Sequence, residues 1–163
     1  MIEEQAQNDC RAAFRLQAQT CRRLGSPFVA HICDLFANRL APDGPVARAL
    51  FDWQGNLTGS ADAVVLRLMA ALHALVLDGK SEALKAVYPP NHENEDEREL
   101  WQALSSSLAD HTEFILEYLQ HPPQTNEVSR SAILLPGFLT VASRSGLPIR
   151  LSEIGASAGL NLF

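Results

Sequence analysis

Seven residues near the C-terminal end have the types and spacing to do chemistry: Glu153-Ile154-Gly155-Ala156-Ser157-Ala158-Gly159. An acidic residue leads a run of small ones. Glycine permits positive φ and lets backbone approach a ligand closely. Leu160-Asn161-Leu162-Phe163 follow and suit a helix start. The free N–H groups of a first helical turn hold an anion or a carboxylate. The run before the motif, Pro148 to Ile154, reads as a strand, with Glu153 at its end to accept a hydrogen bond from a ligand amine or hydroxyl. Strand, glycine turn and helix start form a phosphate or nucleotide cradle in many α/β proteins. A turn that only packs a strand tightly against a helix wants the same small residues, and the pattern alone leaves both readings open.

Asn126, Glu127 and Arg130 form a second candidate group. Asn126 reads as a helix cap, with Glu127 in the first turn. Glu127 and Arg130 are three apart on a helix and can pair. Capping plus a surface ion pair accounts for them. The functional alternative places them at the mouth of a cofactor site, because the next strand leads directly to Gly155. Other reactive side chains are less organised. His31 and Cys33 are two apart and point to different helix faces, while Cys10 and Cys21 share an apolar face. No C-x-x-C or H-x-x-x-H spacing occurs, so no metal site is expected. Buried thiols are the default for such cysteines. His73 and His111 interrupt apolar helical patterns and read as core or groove-edge histidines. No Ser–His–Asp triad is expected, and no residue is assigned a catalytic role.

Two resemblances follow from these residues. Glu153 to Gly159 resembles the first motif of class I S-adenosylmethionine-dependent methyltransferases, with Ser157 at the usual middle glycine. Two blocks together, Thr125 to Ala132 with Leu134 to Leu139, and Glu153 to Leu162, resemble an uncharacterised bacterial family catalogued as a domain of unknown function. Members look like a helical N-terminal half followed by a methyltransferase-like α/β half. The resemblance implies that this chain is the N-terminal half, ending inside the first glycine motif and inactive as it stands. It implies Glu153, Gly155, Ala156, Ser157 and Gly159 as an incomplete cofactor site, with Asn126, Glu127 and Arg130 beside it. S-adenosylmethionine is then the cofactor of a full-length form, and none is expected in this chain. The alternative is a helical interaction or oligomerisation module without catalysis.

Composition sets the frame. The 163 residues are 47% hydrophobic, enough for one domain with a real core. A formal charge of −6 argues against nucleic acid as partner. Arginines gather early, at Arg11, Arg15, Arg22, Arg23, Arg39 and Arg48. Acids gather at Glu93, Glu95, Asp96, Glu97 and Glu99. Solvated helix faces account for each cluster, and contact between the two is the weaker idea. The longest apolar stretch, Ala61 to Leu77, contains Asp62, Arg67 and His73 and is shorter than the roughly 20 residues of a bilayer span. It reads as a buried helix, and no membrane partner is expected. The polar, acidic start and three unpaired cysteines predict a cytoplasmic protein with reduced thiols.

The elements that must position these residues are mainly α: an irregular bundle of six or seven helices, one C-terminal strand and the start of a Rossmann-like glycine turn. The division is residues 1–146, helical, and 147–163, the incomplete strand and turn. Helices are expected over Glu4–Leu24 and from Ser26-Pro27 to Leu40, the second with Ser as cap and Pro at its first position. Val46–Trp53 follows. A long apolar helix opens at Ser60 or Asp62 and stops at Gly79. Ser81–Tyr88 is short. An acidic first turn near Glu97 leads a helix carrying Leu100, Leu104, His111, Ile115 and Leu119 on one face. The last helix runs from Asn126 to Ser145, with a kink or break at Pro136-Gly137. Val64, Leu68, Leu72, Leu75, Trp101, Leu104 and Leu108 are the expected core. Unpaired strand edges at Ile149–Ile154 and the apolar tail Leu160, Leu162 and Phe163 predict a homodimer through that end.

Overall fold

The structure, a computed structural model, describes residues 2–91, 96–123 and 130–152. It contains eight helices and no strand among the described residues. The chain packs as two compact units, Met1–Pro123 and Gln124–Phe163.

The first unit holds seven helices: α1 (Ile2–Arg23), α2 (Pro27–Arg39), α3 (Gly44–Phe51), α4 (Val64–Leu77), α5 (Glu82–Val87), α6 (Glu97–Asp110) and α7 (Thr112–Leu119). Glycine ends two of them as expected. Gly25 and Gly79 adopt φ of +78° and +64°. In each case the residue after glycine donates back to a carbonyl of the last turn, Ser26 to Cys21 and Lys80 to Leu75, both at 2.9 Å. Only glycine takes this left-handed position without steric cost. Ser26 and Pro27 start α2 where expected, although the Ser26 hydroxyl makes no capping bond. Ser81 does cap α5, accepting from the Leu84 N–H, and its hydroxyl also meets that of Ser107 on α6 at 3.2 Å.

The buried face of α1 carries Cys10, Ala13, Phe14, Ala18 and Cys21 at helical spacing. Phe14 stacks on Phe36 of α2 with ring centroids 5.4 Å apart, and Phe36 meets Trp101 of α6 edge-on at 5.6 Å. This row of rings joins three helices. Val64, Leu68, Leu72, Leu75 and Leu104 are fully buried, whereas Trp101 and Leu108 are only half-buried at the edge of the core.

The structure departs from the expectations in four places. First, α4 opens at Val64, and neither Ser60 nor Asp62 caps it. Asp62 is committed elsewhere: its Oδ2 accepts from Trp53 Nε1 and from the Asn56 N–H, each at 3.0 Å. Ala63 then takes a left-handed φ of +54° to enter the helix. Second, the single helix expected from Glu97 to Leu119 is divided into α6 and α7 at His111, whose φ and ψ are −119° and 32°. The Thr112 hydroxyl donates to the Leu108 and Ala109 carbonyls, taking an acceptor that the helix ladder would use. Third, α8 (Arg130–Ser145), in the second unit, continues through Pro136 without a break. Fourth, residues 148–152, the described part of the expected strand, lie in no strand. A strand exists by its ladder, and no other strand is present among the described residues to supply one.

Gly55 shows how tightly the loop around Asp62 is drawn. A Cβ there would overlap Asp62 Oδ2 and lie 3.2 Å from Trp53 Nε1. Gly55→Ala is therefore expected to destabilise the fold by displacing Asp62 from its donors. Leu72→Ala is expected to cost about 2–5 kcal/mol, since Leu72 is fully buried. Leu77→Ala, on the same helix but 74% exposed, should melt with the parent. Thermal melts of the three variants check this. Equal melts for Leu72→Ala and parent would remove Leu72 from the core, and an unperturbed Gly55→Ala would refute the close approach.

Candidate functional site

Glu153, Gly155, Ala156, Ser157 and Gly159 lie outside the described residues, as do Asn126, Glu127 and the tail Leu160–Phe163. Arg130 begins α8, and its side chain is outside them too. The glycine motif thus stands on its sequence. Gly155-Ala156-Ser157-Ala158-Gly159 has the spacing G-x-S-x-G of a nucleophile elbow as well as that of a cofactor turn. In α/β-hydrolases the acid and the histidine follow the serine in the chain. Elbow and cofactor turn share this local spacing.

The remaining candidates are described. Cys10, Cys21 and Cys33 are free and buried, as expected of core thiols. Burial pushes the thiols of Cys10 and Cys33 up to about 12. Cys21 Sγ accepts from Gln17 Nε2 at 3.3 Å. Among the described residues no group of three or more His, Cys, Asp or Glu side chains could hold a metal ion. His73 is exposed on α4 rather than in the core, and His111 is half-buried at the junction of α6 and α7.

Two larger cavities open in the first unit. One, of about 560 Å³, lies where α2 ends and α3 begins, with Trp101, Ser105 and Thr112 opposite. Its cation, Arg39, is already paired with Glu97. The other, of about 510 Å³, lies between α2, α4 and the turn after α5. Phe28, Val29 and Ile32 form one wall and Leu66, Met69 and Ala70 another, and Tyr88 and His73 complete it. The Phe28 ring meets Tyr88 edge-on with centroids 4.9 Å apart, and the His73 ring stacks on Tyr88 at 6.3 Å. Burial pushes the Tyr88 phenol upward. Sequence reasoning missed this second cavity because its walls come from three separate segments. The available signal was His73, a polar ring one turn beyond Met69 and Ala70 on a helix whose other polar residue is Arg67.

Fold and cavities define a mainly helical protein whose polar groups are largely turned to structural use. No helix among the described residues is long and apolar enough to cross a membrane. Residues 11–163 match the family described as an uncharacterised protein conserved in bacteria (DUF2332), and the chain belongs to that family. No curated protein and no solved structure matches the chain.

The thiols give a measurable consequence. An unfolded thiol titrates near 8.5, and Cys10 and Cys33 titrate at about 12 when folded. The unfolded chain therefore releases these protons first, and stability falls as pH rises from about 8.5 towards 12. Denaturant midpoints should decline across that window, and less steeply for Cys33→Ala. A flat midpoint would refute the burial of these thiols.

Proposed function

We propose that this chain is the helical N-terminal part of an S-adenosylmethionine-dependent methyltransferase-like protein. Its last residues open the cofactor site. In this reading the backbone N–H groups after Gly155 meet the cofactor, Gly155 and Gly159 give it room, and Glu153 accepts from its polar groups. Ala156 and Ser157 complete the turn, and Asn126, Glu127 and Arg130 line the mouth. The protein works in the cytoplasm.

One observation carries this reading. The helix that leads into the glycine motif is apolar and uncovered: Ile133, Leu134, Leu135, Leu139 and Val141 of α8 are all exposed. A helix that is apolar on most faces is built to be buried. Helices beside the first strand of a doubly wound fold bury such faces against the sheet. The family match spans residues 11–163 and so takes in both the helices and the glycine motif.

A second reading rests on the same exposed residues together with Leu147, Ile149 and Leu151. A contiguous apolar surface marks an interface, and a second copy of the chain would cover it as a homodimer. Light scattering on the full chain and on a version ending at Gly146 separates the sources of association. A strictly monomeric full chain at high concentration removes the dimer, and equal dimerisation of both versions removes Leu147, Ile149 and Leu151 from the contact.

Cofactor titration tests the leading reading. Small-ligand sites bury most of the ligand, and a glycine run alone covers only a small part of one. The chain by itself should give no heat with S-adenosylmethionine. A longer form carrying the following strands should bind it, and Gly155→Val in that form should abolish binding. Failure of the longer form to bind would overturn the methyltransferase-like reading, and unchanged binding by Gly155→Val would overturn the role of the glycine run.

A further inference from the structure

The cavity beside Tyr88 is built from three stripes, with Cys21 of α1 and Ser26 completing its lining. On α4, Leu66, Met69, Ala70 and His73 follow the i, i+3, i+4, i+7 spacing that puts them on one face. On α2, Phe28, Val29 and Ile32 face the same space. The third stripe is the end of α5, where Tyr88 leaves the helix with its N–H still bonded to the Leu84 carbonyl at 2.9 Å, and Pro89 follows. These side chains leave about 510 Å³ between them, within the usual range of ligand sites.

Two features select the ligand. No Lys, Arg, Asp or Glu lines the cavity, so a charged ligand would lose its hydration without gaining a counter-charge. Tyr88 is only 8% exposed, and its hydrogen bonds among the described residues are those of its backbone, to Leu84 and from Asn91, with none from its hydroxyl. Buried hydroxyls are normally paired, and an unpaired one is a site still wanting a partner. Burial also keeps this phenol protonated and therefore able to donate.

We infer that this cavity binds a neutral, mainly apolar ring compound bearing a hydrogen-bond acceptor, which the Tyr88 hydroxyl receives. Phe28, Ile32 and Met69 take the apolar body, and the His73 ring stands at the mouth. The site is independent of the glycine motif and of the methyltransferase-like reading.

The probe is N-phenyl-1-naphthylamine, a neutral dye that brightens in apolar surroundings, displaced by either 2-acetonaphthone or 2-ethylnaphthalene. The two competitors have similar shapes and differ in the carbonyl. The ketone should displace the dye about tenfold more effectively from the parent chain, the worth of one good hydrogen bond. Tyr88→Phe should erase that preference and leave displacement by the hydrocarbon unchanged. Ala70→Trp, which fills the cavity, should abolish dye binding. An independent readout uses Cys21, which lines the cavity. The ketone should slow alkylation of Cys21 and leave Cys10 and Cys33 unaffected. Equal displacement by the two competitors, or a preference that survives in Tyr88→Phe, would overturn the role of the hydroxyl. Dye binding that survives in a folded Ala70→Trp variant, or no protection of Cys21, would overturn the site.

Discussion

A helix that ends inside a bundle leaves its last carbonyls without partners, and each must be met by a donor or by water. The first unit meets this constraint with arginines from neighbouring helices. Arg67, on α4, donates from Nη1 to the carbonyl of Leu119 at the end of α7, at 2.9 Å, and from Nε to the Asp62 carbonyl at 2.7 Å. Its guanidinium lies over the Trp53 ring, 5.3 Å from the centroid. One side chain thus ties α4, α7 and the loop after α3. Arg11 repeats the device on α1, donating to the Ala37 and Leu40 carbonyls at the end of α2, with its guanidinium over Phe51 at 5.8 Å. A cation at a helix C-terminus also sits favourably in the helix dipole. The charged fork makes bonds stronger than neutral ones, and the aromatic ring beneath replaces lost hydration.

This use of arginine has a consequence for the surface. Arg22 pairs with Asp34, and Arg39 pairs with Glu97. The second pair joins the basic and the acidic segments, which composition alone had favoured as separate solvated faces. It forms because Arg39 is in the last turn of α2 and Glu97 in the first turn of α6, the ends at which each charge is favoured. Arg11, Arg22, Arg39 and Arg67 are thus engaged within the first unit, while the cavity beside Tyr88 and the exposed residues of α8 are largely apolar.

Legibility followed the range of the interactions. Gly25, Gly79, Ser26-Pro27 and Ser81 act on their own backbone within a few residues, and their effects could be read directly. Asp62 has the look of a cap before an apolar run, yet its carboxylate is taken by Trp53 and Asn56, which only the folded loop brings near. The break at His111 turns on a hydroxyl choosing the carbonyls of Leu108 and Ala109, a competition that helical periodicity does not record. Leu24 continues the apolar pattern of α1 but is 77% exposed, because the chain reverses at Gly25 before that face can be covered. Of the candidate sites, the glycine motif was legible as local sequence, whereas the cavity beside Tyr88 required three segments to meet.

The apolar side chains of α8 sit on a helix with little intrinsic stability. Its sixteen residues include Pro136 and Gly137 in the interior. Together these carry a propensity penalty of about 4 kcal/mol relative to alanine. Pro136 also leaves the Ala132 carbonyl without its helical donor, and Ala132 is exposed, where water can take that role. The Thr140 hydroxyl donates to the Pro136 carbonyl at 2.8 Å and adds one local bond. Isolated helices of this length are marginal even with favourable sequences. A helix with these breakers and with Ile133, Leu134, Leu135 and Leu139 exposed draws its stability from packing rather than from propensity. Burial of that apolar face would supply the packing that these two breakers make necessary.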